Sequence, residues 1–328
     1  MRTYVWYVWA LIAVGLMGCA APEITLFPDG SDPLEEFTLS GQKDGKVLVI
    51  PVQGIITDMP RRGFLRTDPS MVQEVVSQLK KAEEDDEIRA VLFTINSPGG
   101  TATATDLLYH EITAYKTRTG VKVVAAMMNV AASGGYYVAL PADVIFAHPT
   151  TITGSVGVVF IRPKVVGLMK KIGVDVEVNK SGENKDMGSP FRAATEGEER
   201  ILQGLTDTLG EDFVGKVRKH RSMRPHAIDD MTTARIYIAA DALDLGMVDK
   251  IGYLSDAIAA AKKMSGLPED ARVIVYRRTE FANDNIYNPV TTQAAAAGSP
   301  LVDTGMFGQI ANLQPGFYYL WPTAIGSD

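Results

Sequence analysis

The chain has 328 residues, 46% hydrophobic and 22% charged, an ordinary globular balance with length enough for one large core. Its net charge of −7 comes with no basic stripe, which argues against nucleic acid as a partner. A single cysteine excludes an intramolecular disulfide.

At the amino terminus Arg2 precedes an uncharged apolar stretch from Tyr4 to Met17, short for the ~20 residues of a transmembrane helix. Leu16-Met17-Gly18-Cys19 resembles a bacterial lipobox. Residues 1–18 therefore read as a lipoprotein-type signal peptide, and Cys19, the lone thiol, as the acylated mature N-terminus. An uncleaved anchor over Tyr4 to Ala21 is the alternative. Either attachment predicts a protein of the bacterial cell envelope, bound to a membrane with its folded part outside the cytoplasm. Residues 19–45, which carry Pro22, Pro28 and Pro33 and show little periodicity, read as a tether.

A domain over 46–278 opens with a strand from Lys46 to Val52, followed by a loop around Met59 to Asp68 placed to line a cleft. Met71 to Glu84 repeats Val72, Val75, Val76 and Leu79 at helical spacing. A strand beginning near Ala90 ends in Asn96-Ser97-Pro98-Gly99-Gly100 and feeds a helix from Thr103 to Tyr115. Another, Val123 to Met128, ends in Ala131-Ala132-Ser133-Gly134-Gly135 and feeds a helix from Tyr136 to Leu140. Further strands are predicted near Val144 and Val174, and the alternation is that of βαβ units winding a largely parallel sheet in an α/β fold. Thr195-Glu196-Gly197-Glu198 is a capping box for a helix to about Arg221, with Ile201, Leu202, Leu205, Leu209 and Val217 as its apolar face. Residues 279–328 read as a C-terminal tail, irregular over Phe281 to Gly308. Its apolar run from Gly316 to Pro322 calls for a covering surface, on the same domain, a neighbouring subunit or the membrane, with protein as the default.

The chemistry gathers at the two glycine-rich turns. Ser133 falls where a strand becomes a helix, a turn that exposes a hydroxyl. The glycines of both turns let backbone N–H groups approach a ligand closely, so together they offer paired donors to a developing oxyanion. None of His110, His148, His220 and His226 has a catalytic setting in the sequence, which leaves a lysine as the better base for a nucleophilic serine. Taken singly, Ser133 fits a helix N-cap, Lys185 a solvated loop charge and Ser155 a turn residue.

Taken in order they carry a resemblance. Asn96-Ser97-Pro98-Gly99-Gly100, Ala132-Ser133-Gly134-Gly135-Tyr136-Tyr137, Thr153-Gly154-Ser155-Val156-Gly157 and Lys180-Ser181-Gly182-Glu183-Asn184-Lys185-Asp186 resemble the motifs of the signal peptide peptidase A family of serine peptidases. That family belongs to the Clp protease/crotonase superfamily, and the match runs from about Lys46 to about Lys263, with Ala234 to Asp249 resembling a further segment. The resemblance implies a Clp protease/crotonase-like superhelix of βαβ units. It implies Ser133 as nucleophile, Lys185 as general base in preference to Lys180, and Ser155 as the group that orients the lysine amine. Gly134 N–H and Gly100 N–H become the oxyanion donors, with Gly99 as the alternative to Gly100. A lysine is normally protonated at neutral pH, and burial lowers its pKa by disfavouring the charge, so such a dyad needs a dry site. The reaction then runs through an acyl-enzyme with no metal or organic cofactor. The resemblance also implies signal-peptide remnants and other unfolded apolar peptides as substrates, and a homo-oligomeric ring, an octamer, in which neighbours complete the substrate grooves. A non-catalytic scaffold of the same fold and a crotonase-like acyl-CoA enzyme are the competing readings; only the peptidase needs both Ser133 and Lys185.

Overall fold

A computed structural model describes residues 32–62, 67–291 and 315–324. The predicted signal peptide and Cys19 lie outside the described residues. Strands β1 (Glu35–Ser40) and β2 (Lys43–Gln53) are followed by the short antiparallel pair β3 (Arg61–Arg62) and β4 (Thr67–Asp68). Helix α1 (Met71–Glu83) starts at Ser70, whose hydroxyl accepts the Gln73 N–H at 3.1 Å. Strands β5 (Ile88–Ser97) and β6 (Gly99–Thr101) lead into α2 (Ala102–Thr119), capped by Thr101 and ended by Gly120 in the left-handed region.

Strand β7 (Lys122–Ala132) passes directly into α3 (Gly134–Ala139). Then come β8 (Val144–Ala147), β9 (Ile152–Gly154), β10 (Val159–Ile161) and α4 (Val166–Ile172). The long helix α5 (Glu196–His220) precedes α6 (Pro225–Met231), β11 (Ile236–Ile238), α7 (Ala239–Asp244), β12 (Lys250–Ile251), α8 (Leu254–Met264) and β13 (Ala271–Arg277). Strand β14 (Gly316–Leu320) closes the described chain with a turn of 3-10 helix at Pro322–Ala324.

The main sheet runs β1-β13-β2-β5-β7-β8-β12, with β9 paired to the end of β7 and β11 to β9. Its central pairs are parallel, while β1 and β11 are antiparallel additions. The reason for a doubly covered sheet is visible in the side-chain alternation. Leu48, Ile50, Val52, Val91, Phe93, Ile95, Val123, Ala125 and Met127 enter one core with residues of α1, α2 and α3. Val47, Val49, Ala90, Leu92, Val124 and Ala126 enter a second core, under α8. Strands buried on both faces carry no polar alternation, which is why they read as continuous apolar runs. Each fully buried Leu or Ile in these layers contributes about 1.5–3 kcal/mol.

Two expectations are corrected, a third is corrected in part, and the default expectation for the C-terminal apolar run is met. Part of the predicted tether belongs to the fold, because β1 pairs with β13 through Glu35↔Arg277 to Ser40↔Val273. No strand forms at Val174; Val174, Val176 and Val178 are exposed by 50%, 41% and 52%, so an alternating sequence has no sheet edge to join. The Thr195 capping box forms as read, and Leu202 and Val217 of the expected apolar face are buried, but Ile201 and Leu205 are exposed and Phe213, outside that expected face, is buried with them. The apolar run at Gly316 docks on its own domain, as β14, between β6 and β10.

Candidate active site

Ser133 stands at the junction of β7 and α3 with φ 52° and ψ −116°, a conformation costly to a residue with a Cβ. It occupies the N-cap position, yet its side chain makes no capping hydrogen bond. The hydroxyl is fully buried and has no hydrogen-bond partner among the described residues. Burial corrects the expectation of an exposed hydroxyl: the turn does re-aim the side chain, but into a covered site. A buried hydroxyl without a partner loses its hydration and gains nothing in exchange, so the fold holds Ser133 at a net cost.

The second strained serine lies next to it. Ala132 pairs with Gly154 across β7 and β9, the Ser133 N–H donates to the Gly154 carbonyl at 2.7 Å, and the next residue, Ser155, has φ 52°. Ser155 is held there by its N–H, which donates to the Arg235 carbonyl at 2.8 Å. Two serines forced into the left-handed region on adjacent strand ends are a local strain that packing elsewhere offsets.

The glycine turns meet as the sequence suggests. Gly99 has φ 103°, and a Cβ built on it would stand 2.7 Å from the Gly134 nitrogen, so absence of a side chain is what lets the turns touch. Gly134 opens α3, and its N–H therefore has no acceptor inside the helix. The Gly99 N–H is already committed, donating to the Ser97 hydroxyl at 3.1 Å. The Gly99 N–H is thus held inside its own turn, whereas Gly100 pairs across the strand edge with Tyr319 of β14, so neither N–H is unpaired while that strand is in place.

Sequence reasoning assigned no role to the residues that hold these turns in place. The Ser97 hydroxyl, fully buried, donates to the Gly54 carbonyl at 2.7 Å while accepting from Gly99. Asn96 Oδ1 accepts the Val130 N–H at 3.1 Å, tying the first turn to the strand that carries Ser133. Both lie inside the first glycine motif, and that position was the available signal.

The lysines are distributed differently. Lys185 is exposed, and among the described residues its amine makes neither an ion pair nor a hydrogen bond to Ser133. Lys180 donates to Asp186 and to the Glu183 carbonyl, both at 2.8 Å. Asp186 also pairs with Arg192, which in turn bonds the buried Glu198. Arg192 and the Thr195 N–H beside it hold the Glu198 carboxyl down at about 2. The loop before α5 is thus anchored through Asp186 and Arg192, with Lys185 left pointing outward. His220 shares a 2.7 Å hydrogen bond with the Tyr109 hydroxyl, and burial lowers its pKa; His110 and His226 are exposed, and none of the histidines bonds Ser133. Among the described residues no three His, Cys, Asp or Glu side chains converge on a metal position.

Residues 115–268 match the family model for Peptidase family S49, and residues 65–155 match that for Clp protease. The chain is 35% identical over 264 residues to a protein of Enterococcus faecium named as a signal peptide peptidase, SppA, covering 80% of this chain and 76% of that one. It is 35% identical over 225 residues to a protein of Synechocystis named as a protease, covering 69% and 76%. Against the chloroplastic serine protease SPPA of Arabidopsis thaliana the identity is 32% over 239 residues, 72% of this chain and 34% of the relative. A strained serine at a strand-to-helix turn, the Clp-type α/β fold around it and these matches agree: the chain belongs to the Peptidase S49, or signal peptide peptidase, family of serine proteases.

Proposed function

We propose that this protein is a membrane-tethered endopeptidase that uses Ser133 as nucleophile and Lys185 as general base to hydrolyse signal-peptide remnants and other unfolded apolar peptides. The observation that carries the reading is the Ser133 hydroxyl, strained, buried and unpaired beside the touching glycine turns. Attack on a peptide carbonyl forms the Ser133 ester as the Oγ proton passes to the lysine amine. That proton then goes to the leaving amine, and water hydrolyses the ester. Gly134 N–H and Gly100 N–H receive the oxyanion, and Ser155 orients the amine. Membrane attachment rests on the Cys19 lipobox.

The test is labelling by a fluorophosphonate. The protein is expected to take up the probe and Ser133→Ala to take up none, with both showing the same circular dichroism. A folded wild-type protein that neither reacts with the probe nor cleaves peptides would return the scaffold reading.

Assembly is part of the proposal, because a neutral lysine requires a dry site and Lys185 is exposed in the single chain. Leu168, Ile172, Val174, Val176, Val178 and Phe191, all exposed, surround its loop in sequence and supply apolar surface for a neighbouring copy to cover. A closed ring of one repeated contact, an octamer, satisfies that need for every subunit. Light scattering on the soluble domain is expected to give a homo-oligomer that degrades unfolded peptides faster than native proteins. A fully active monomer would overturn this part.

A further inference from the structure

Strand β14 fills a groove one strand wide beside the proposed oxyanion turn. On one edge Tyr318, Tyr319 and Leu320 oppose Thr101, Gly100 and Gly99 of β6; on the other Gly316, Phe317 and Tyr318 oppose Ile161, Phe160 and Val159 of β10. Both pairings are antiparallel. The far edge of β6 belongs to Ile56, which donates to the Gly99 carbonyl at 2.9 Å and accepts the Thr101 N–H at 3.0 Å. Backbone groups alternate in direction along a strand, so the N–H and C=O of Gly100 face Tyr319. The donor that the chemistry needs from this turn is therefore directed at the backbone of β14.

The side chains follow the same plan. The Tyr319 carbonyl oxygen lies 1.9 Å from where a Gly99 Cβ would be and 3.0 Å from where a Gly134 Cβ would be, between the two turns. Its ring stacks on Tyr137 at 5.2 Å and packs on Phe213 at 5.1 Å, and its hydroxyl donates to the Leu209 carbonyl at 3.3 Å. Tyr137 is one helical turn beyond Ser133, so this aromatic pocket sits beside the nucleophile. Past the strand, the Trp321 N–H donates to the Pro98 carbonyl at 2.9 Å, and Trp321 and Ala324 pack on Val130 and Ala132 of the strand that carries Ser133.

We propose that the slot between β6 and β10 receives an extended substrate peptide as an antiparallel strand, with an aromatic side chain of that peptide in the Tyr137–Phe213 pocket. In the resting chain β14 holds the slot as an internal competitor, with Tyr319 in the pocket. The proposal rests on the peptidase reading above. Its physical basis is that a strand adds to an edge only when that edge is unpaired. With β14 in place both edges are satisfied, and substrate enters only as β14 leaves. The exchange is close to balanced, since an incoming strand remakes the same few backbone bonds and replaces one aromatic ring by another.

The test uses the full chain with Tyr319→Ala, and with Phe317→Ala as a milder release of the ring contact to Phe160 at 4.7 Å. Tyr319→Phe, which keeps the ring, is the control. The probes are a fluorophosphonate for Ser133 and a fluorescent synthetic peptide of residues 315–322. Removing a competitor raises the fraction of open slots, so the alanine variants are expected to be labelled about fivefold faster or more, and Tyr319→Phe at about the wild-type rate. The peptide is expected to bind Tyr319→Ala by fluorescence anisotropy and to slow its labelling, whereas the same peptide with alanine in place of the tyrosine at 319 does neither. Folded alanine variants that label no faster than wild type and bind no peptide would overturn the proposal. If no form reacts at Ser133, the peptidase reading fails, and the anisotropy result alone decides whether the slot accepts a strand.

Discussion

Lys185→Ala is expected to lower kcat/KM on a short unfolded peptide by about 10²- to 10⁴-fold, the usual worth of a general base, with no change in secondary structure. Lys180→Ala is expected to retain most of the activity. The distinction is electrostatic. Lys180 lies 2.8 Å from the Asp186 carboxylate and also donates to the Glu183 carbonyl, so its amine is engaged in holding the loop. Lys185 makes no such ion pair among the described residues, and its burial on assembly would disfavour the charge. Activity should then rise with pH as the amine loses its proton, giving a neutral to alkaline maximum. Ser155→Ala should be slowed without being silenced, since Ser155 orients the amine and accepts no proton. Peptide hydrolysis measured across pH for the three variants checks this. An inactive Lys180→Ala beside an active Lys185→Ala would show the loop to be misassigned, and a maximum in acidic buffer would exclude a neutral-lysine mechanism.

Gly99→Ala is expected to destabilise the fold by on the order of 3 kcal/mol and to remove activity with it. Two costs combine. A φ of 103° is unfavourable for any residue with a Cβ, and that Cβ would stand 1.9 Å from the Tyr319 carbonyl oxygen and 2.7 Å from the Gly134 nitrogen. Both obstacles are backbone, so relief requires the turns to separate, which moves Gly100 N–H away from Gly134 N–H. Gly204→Ala is the control: it lies in α5 with nothing within 4 Å of its Cβ position and should be neutral or stabilising by up to about 0.5–1 kcal/mol. Denaturant midpoints and peptide turnover on both variants decide the matter. A Gly99→Ala protein with the parent's midpoint would mean that the two turns do not touch in solution.

The parts of the site that are legible in the sequence share a local cause. The strand-to-helix turn at Ser133 is legible in the sequence because β7 is apolar on both faces and the glycines that follow end it. Its burial is not legible, since local pattern does not report what packs around a turn: Trp321 and Ala324, far along the chain, pack on Val130 and Ala132 just before Ser133. Lys185 is read as the base only through its motif, and a motif does not encode the exposure of the loop that carries it.

The α/β class, the central strands, the capping box at Thr195 and the two glycine turns are readable from the chain's local patterns. Each of these is written in residues close together in the chain, through side-chain period, hydrogen-bonding caps and backbone permissiveness. Periodicity reports only that a segment needs burial, and the partner is chosen by long-range pairing. Tertiary structure alone decided that β1 joins β13, that Val174 to Val178 finds no edge, and that β14 lies against Gly99 and Gly100. Those outcomes depend on which backbone edges remain unpaired once the rest of the sheet has formed, and no local pattern encodes that.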